Sequence, residues 1–90
     1  MLIRYGRKFS KYYDKAPLKI RKTFIKRREI FQKDPFHPQL NNHQLLGNYE
    51  GFRSINVTGD WRAIFFEDVD EHGKKVVIFK VLGTHSQLYR

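Results

Sequence analysis

No cysteine occurs in the 90-residue sequence, which excludes disulfide staples and thiolate catalysis and fits a reducing compartment. No apolar run approaches the length of a membrane span or a secretory leader, so a soluble, cytoplasmic protein with no membrane partner is expected. Three prolines and six glycines are too few for a low-complexity linker, and no segment repeats. One domain over residues 1–90 is therefore the expectation. Acidic residues are also scarce, nine against eighteen Lys and Arg, for a formal net charge of +9. The excess is localised. Residues 1–40 hold twelve basic side chains against Asp14, Glu29 and Asp34, whereas residues 41–90 hold six of each sign. Clustered positive charge is the footprint of a polyanionic partner, because each neutralised phosphate releases condensed counterions. A basic helix face that is simply solvated is the alternative.

What is abundant is aromatic and apolar. At 40% apolar and 16% aromatic residues, the chain has material for a compact core and lacks the composition of a disordered one. Met1 to Tyr5 fits a short first strand, and Phe9, Tyr12 and Tyr13 recur at helical spacing before Pro17. From Pro17 a second, amphipathic helix carries Leu18, Ile20, Phe24, Ile25 and Phe31, with Lys and Arg on its other faces. Asp34-Pro35 ends it, since the residue before a proline is pushed out of the helical region, and Pro38 keeps the loop extended to about Asn42.

The period then changes. Phe52 to Val57 alternates, with Phe52, Ser54 and Asn56 on one face and Arg53, Ile55 and Val57 on the other. Thr58-Gly59-Asp60 turns the chain into Trp61 to Phe66. A turn at Glu71-His72-Gly73 leads to Val76-Val77-Ile78-Phe79-Lys80-Val81-Leu82, a buried strand that Gly83 is expected to stop. The order predicts an α+β domain, two N-terminal helices packed on one face of a small antiparallel β-sheet, with Met1 to Tyr5 at an edge.

The residues able to do chemistry are His43, Arg53, Asp60, Arg62, His85 and Tyr89. His85 falls just past a strand end, on a rigid element, and histidine is the side chain suited to moving protons near neutral pH. Cleavage of RNA needs a base for the 2′-hydroxyl, an acid for the leaving 5′-oxygen and cations for charge growing on the phosphate. Two histidines and two arginines supply all three. Arg53 and Arg62 lie in strands with apolar neighbours, where a cation calls for an anion or phosphate nearby. Each residue also has a plainer role: His43 orders a loop, His85 is a hydrogen-bonded loop residue, Asp60 makes a turn, and Trp61 packs in the hairpin rather than against a base. His37 and His43 flank a proline-rich loop, and Asp68, Asp70 and Glu71 share a turn. Neither set has the spacing of a closed metal site, so no metal or other cofactor is expected.

The ordered combination His43-Gln44-Leu45-Leu46-Gly47, Gly51-Phe52-Arg53-Ser54-Ile55-Asn56, Gly59-Asp60-Trp61-Arg62-Ala63-Ile64-Phe65 and Gly83-Thr84-His85-Ser86-Gln87-Leu88-Tyr89 resembles the RelE/ParE toxin superfamily. Within it, the chain is most similar to the YafQ type of bacterial type II toxin–antitoxin systems. The likeness extends to the basic helical hairpin and the Asp34-Pro35-Phe36-His37-Pro38 loop. It implies a ribosome-dependent, metal-independent endoribonuclease, an mRNA interferase that cuts mRNA in the ribosomal A site by 2′-hydroxyl attack. It also implies a cognate antitoxin encoded by a neighbouring gene.

By the same resemblance, His85 matches the essential histidine, and His43 and Asp60 match further active-site positions. Arg62 matches a phosphate-binding arginine and Tyr89 a C-terminal aromatic. Arg53 and Trp61 in the sheet, with Lys22, Lys26 and Arg27 on the basic helix, are the expected contacts to messenger and ribosomal RNA. Ser54 and Asn56 depart from the type, standing in place of an aspartate and a histidine, and Val81 stands in place of an arginine. Which histidine is acid and which is base stays open at this level. Two rivals remain: a ParE-like toxin that inhibits DNA gyrase without cutting RNA, and a basic RNA-binding protein without catalysis.

Overall fold

The apolar spacing of the first forty residues builds two helices whose buried stripes are narrower than expected. The computed structural model describes residues 1–89. Strand β1, Leu2–Tyr5, leads into α1, Arg7–Lys15, where Phe9 is buried and Tyr13, one turn on, is half-buried. Tyr12 stays exposed. Ala16 is extended ahead of Pro17, and α2 then runs from Leu18 to Lys33. Ile20, Phe24 and Phe31 are its buried residues, while Leu18 is exposed. Between Phe24 and Phe31 the inward stripe includes Arg27, which is half-buried and donates from Nε to the Val57 carbonyl at 3.2 Å. The helix stops at Asp34, as the following proline predicts. The loop is less extended than expected, since Pro38–Leu40 forms a 3₁₀ turn, and Leu40 is fully buried beneath it.

The sheet has five strands in the order β1-β5-β4-β3-β2. Besides β1 they are β2, His43–Gln44, β3, Arg53–Asn56, β4, Trp61–Val69, and β5, Lys75–Thr84. The α+β architecture with two N-terminal helices on a sheet is as expected, with two corrections. β1 runs parallel to β5, with Leu2 opposite Val76 and Tyr5 opposite Phe79, so the sheet is mixed rather than wholly antiparallel. β2, too short to show a period, adds a fifth strand beside β3. The β4–β5 turn is as expected: the Asp70 carboxylate accepts from the amides of His72 and Lys74, and Gly73 takes the left-handed conformation.

Alternation along the strands divides two apolar layers. Ile55, Val57, Ala63, Phe65, Val77, Phe79 and Leu82 join Phe9, Phe24 and Phe31 in the main core under the helices. Leu45, Ile64 and Val81 form a smaller patch on the opposite face, covered by Tyr49, Phe52, Leu88 and Tyr89. A bulge resets β5 between these layers. Ile64 pairs with Val81 but Phe65 pairs with Phe79, so Lys80 is the extra residue. Past it, Leu82 rejoins the main core and Gly83 comes opposite Arg62 on the other face. Gly83 does not end the strand, which runs to Thr84 and passes directly into α3, His85–Leu88.

Candidate active-site cleft

On the face turned away from α1 and α2, a cleft of about 390 Å³ is lined by Asn41, His43, Leu45, Arg62, His85 and Tyr89. His43 comes from β2 and is oriented by Asn41, a residue in left-handed conformation at φ 47° and ψ 50°. Asparagine tolerates that conformation better than most side chains. Its carbonyl accepts from His43 Nδ1 at 2.8 Å. A carbonyl cannot donate, so the Nδ1 carries the proton, and in the neutral ring Nε2 holds the lone pair.

Arg62 enters from β4. Its Nη1 donates to the carbonyls of Thr58 and Gly59, each at 3.0 Å, in the β3–β4 turn. These two bonds use both Nη1 hydrogens and leave Nε and Nη2, a side of the fork that matches two phosphate oxygens. The ion pairs among the described residues, His72–Glu71 and Lys75–Glu67, do not involve Arg62.

His85 and Tyr89 are delivered by α3. Thr84 Oγ1 accepts from the Gln87 amide at 3.2 Å and Gln87 Oε1 accepts from the Thr84 amide at 2.9 Å, a reciprocal cap on a four-residue helix. The His85 amide donates to the Asp60 carbonyl at 2.9 Å, tying α3 to the β3–β4 turn. The His85 and Tyr89 rings lie 4.7 Å apart, and the His85 side chain is exposed. Gly83 lets α3 sit close to the sheet: a Cβ there would stand 3.1 Å from Leu88 Cδ2 and 3.2 Å from Gln87 Oε1, and both side-chain ends would have to give by a few tenths of an ångström.

The other expected site residues lie elsewhere. Asp60 is exposed at the hairpin tip and reaches the site through its carbonyl rather than its carboxylate. Trp61 is half-buried against the helix-side core, so hairpin packing is its placement. Arg53 shares the helix-side face with Phe65, its cross-strand partner, and lines a different hollow with Gln44, Gly51, Phe52 and Glu67. Arg53 therefore does not share a groove with Arg62 and His85. Lys22 and Lys26 are exposed on α2, while Arg27 Nε is engaged by Val57.

Ser54 is buried opposite His43 and Ile64, Asn56 lies across from Arg62, and Val81 belongs to the small apolar patch. His37 caps the 3₁₀ turn, its Nδ1 accepting from the Gln39 amide at 3.1 Å. Two lining residues escaped the sequence reading, Asn41 and Leu45. The Asn41-Asn42 pair after an apolar turn residue was the available signal for a left-handed position.

The profile of the family described as "Bacterial toxin of type II toxin-antitoxin system, YafQ" matches residues 2–90. A search of curated proteins finds no match. Among solved structures, the fold superposes on that of YafQ from E. coli strain BL21(DE3) with a TM-score of 0.77 and 22% identity, over 98% of this chain and 97% of that one. A YoeB/ParE toxin from Agrobacterium tumefaciens gives 0.75 at 12% identity, over 94% and 99%. The toxin of the E. coli DinJ–YafQ toxin–antitoxin complex gives 0.67 at 24% identity, over 98% and 96%. At these identities the structural likeness is one of fold.

Proposed function

Because the chain belongs to the YafQ family of bacterial type II toxin–antitoxin toxins, we propose that it is a ribosome-dependent endoribonuclease whose reaction takes place in the cleft between β2, β4 and α3. The observation that carries this reading is the convergence of His43, Arg62, His85 and Tyr89 on that one cleft. His43 Nε2 takes the proton of a 2′-hydroxyl, and the 2′-oxygen attacks the adjacent phosphorus. The bond from phosphorus to the 5′-oxygen breaks as His85 hands a proton to the leaving oxygen. The products are a 2′,3′-cyclic phosphate and a free 5′-hydroxyl. Arg62 meets the charge developing on the non-bridging oxygens through Nε and Nη2. Tyr89 buttresses the His85 ring, and Asp60 positions His85 through its main-chain carbonyl.

The proposed substrate is mRNA in the ribosomal A site, with the exposed Lys22 and Lys26 of α2 directed at ribosomal RNA. The proposed silencing partner is a cognate antitoxin encoded beside this gene. The decisive experiment adds the protein to a translating extract containing a reporter mRNA and maps the new ends. The expected result is cleavage that requires translation and leaves a 5′-hydroxyl. An intact reporter, in a preparation that nevertheless blocks DNA supercoiling by gyrase, would assign the protein to the ParE-like alternative.

A further inference from the structure

We propose that Phe36 and Arg53 form a second nucleotide subsite, on the far side of β2 from the cleft, which stacks one base of single-stranded RNA and binds its phosphate. Arg53 Cζ lies 5.3 Å from the centroid of the Phe36 ring. Its Nε donates to Asn42 Oδ1 at 2.8 Å, and Asn42 Nδ2 in turn donates to the Pro35 carbonyl at 2.9 Å. Both ends of the Asn42 amide are thus used, and the guanidinium is fixed with its two Nη groups left over. Glu67, the carboxylate lining the same hollow, is paired with Lys75. Among the described residues Arg53 makes no ion pair, so it presents a held cation, a preorganised arrangement for a phosphate.

Phe36 is 65% exposed. The loop that carries it does not depend on the ring for anchorage, because Leu40 is fully buried, Asp34 Oδ1 accepts from the Phe36 amide at 3.2 Å, and Asn42 ties back to Pro35. An aromatic ring left in water beside a fixed cation is a stacking platform of the kind single-stranded nucleic acids use. Continuity with the cleft indicates the occupant. Along residues 41–44 successive side chains serve opposite sides: Asn41 and His43 line the cleft, while Asn42 holds Arg53 and Gln44 lines its hollow. A strand of RNA leaving the cleft over β2 reaches Phe36 and Arg53 next.

This inference rests on the ribonuclease reading for its substrate class, but binding tests it without catalysis. The probe is a fluorescent, fully 2′-O-methylated oligoribonucleotide of mixed sequence, which lacks the attacking hydroxyl. Phe36→Leu should weaken its binding by about 5- to 150-fold, the range for loss of one base–aromatic stack, with unchanged melting temperature. Phe36→Trp should restore it. Arg53→Gln should lower the slope of log affinity against log salt by about 0.7, one single-strand phosphate contact. Wild-type protein that fails to bind the oligonucleotide at low salt would overturn the subsite, as would Phe36→Leu binding it like wild type. Loss of affinity for an acidic antitoxin peptide with RNA affinity intact would reassign the platform to the antitoxin. A protein that binds through Phe36 but leaves mRNA uncut in the translating extract would instead remove the nuclease reading alone.

Discussion

A guanidinium held by main-chain carbonyls keeps its full charge for a ligand, whereas one held by a carboxylate is already neutralised. Arg62 is of the first kind, anchored by Thr58 and Gly59. Arg62→Lys keeps the charge but replaces a rigid fork with a single flexible ammonium. Cleavage should fall by about 10²- to 10³-fold, as for loss of a preorganised donor, while stability measured by urea denaturation falls by about 1 kcal/mol. Equal losses of both would mark Arg62 as a strut of the turn. His85 makes a sharper case, because its ring is exposed and its fixed contact to the β3–β4 turn is made by the amide. His85→Gln should reduce cleavage by about 10²- to 10⁴-fold, the usual contribution of a proton-transfer group, with no change in melting temperature. Wild-type rates in the folded variant would remove His85 from the chemistry.

A four-residue helix has no stability of its own, since forming the first turn costs more than its few hydrogen bonds return. α3 exists because Thr84 and Gln87 cap each other, Asp60 holds its first amide, and Leu88 lies against the bare backbone of Gly83. Gly83→Val should therefore lift α3 from the sheet and uncouple activity from stability. The expected outcome is a cleavage rate lowered at least tenfold, with the aromatic core signal in near-UV circular dichroism preserved. Unchanged cleavage would show that α3 tolerates displacement.

Here too lies the limit of what could be read beforehand. The helices and the β3–β4 hairpin were legible because Phe24 to Phe31 and Ile55 to Phe65 carry clear periods. Gly83 was misread because a glycine that ends a strand and one that admits a close neighbour look alike in a sequence. The Thr84-to-Gln87 cap was visible as a pattern and would have announced α3. Arg53 and Arg62 fell on opposite faces for a reason only half accessible: alternation already set Arg53 beside Ile55 and Val57. Placing Arg62 across from Asn56 required the register of β3 against β4.

Taken whole, the molecule separates its charge from the proposed reaction cleft. The positive excess lies in the segment that forms β1, α1 and α2, whereas the cleft opens on the face of the sheet turned away from those helices. If an acidic antitoxin is steered to the basic helices, its association rate should drop steeply with ionic strength while its dissociation rate changes little. Stopped-flow mixing across a salt series measures this, and a salt-independent association rate would count against electrostatic capture. Between the two faces, Phe79 meets the rings of Tyr5, Phe9, Phe24, Phe31 and Phe65 within 6 Å. Phe79→Ala should cost about 3 to 5 kcal/mol in urea denaturation, a large share of the roughly 5 to 15 kcal/mol available to a domain. The pairing of β1 with β5 also sets an order of events during synthesis. Leu2 to Tyr5 are translated 74 residues ahead of their partners, Val76 to Phe79. Contacts so distant along the chain form late and slow the overall folding rate. A nascent chain thus has its basic helical segment well before it has β5 and α3, and the cleft goes without His85 and Tyr89 until the strand that pins β1 in place has been made.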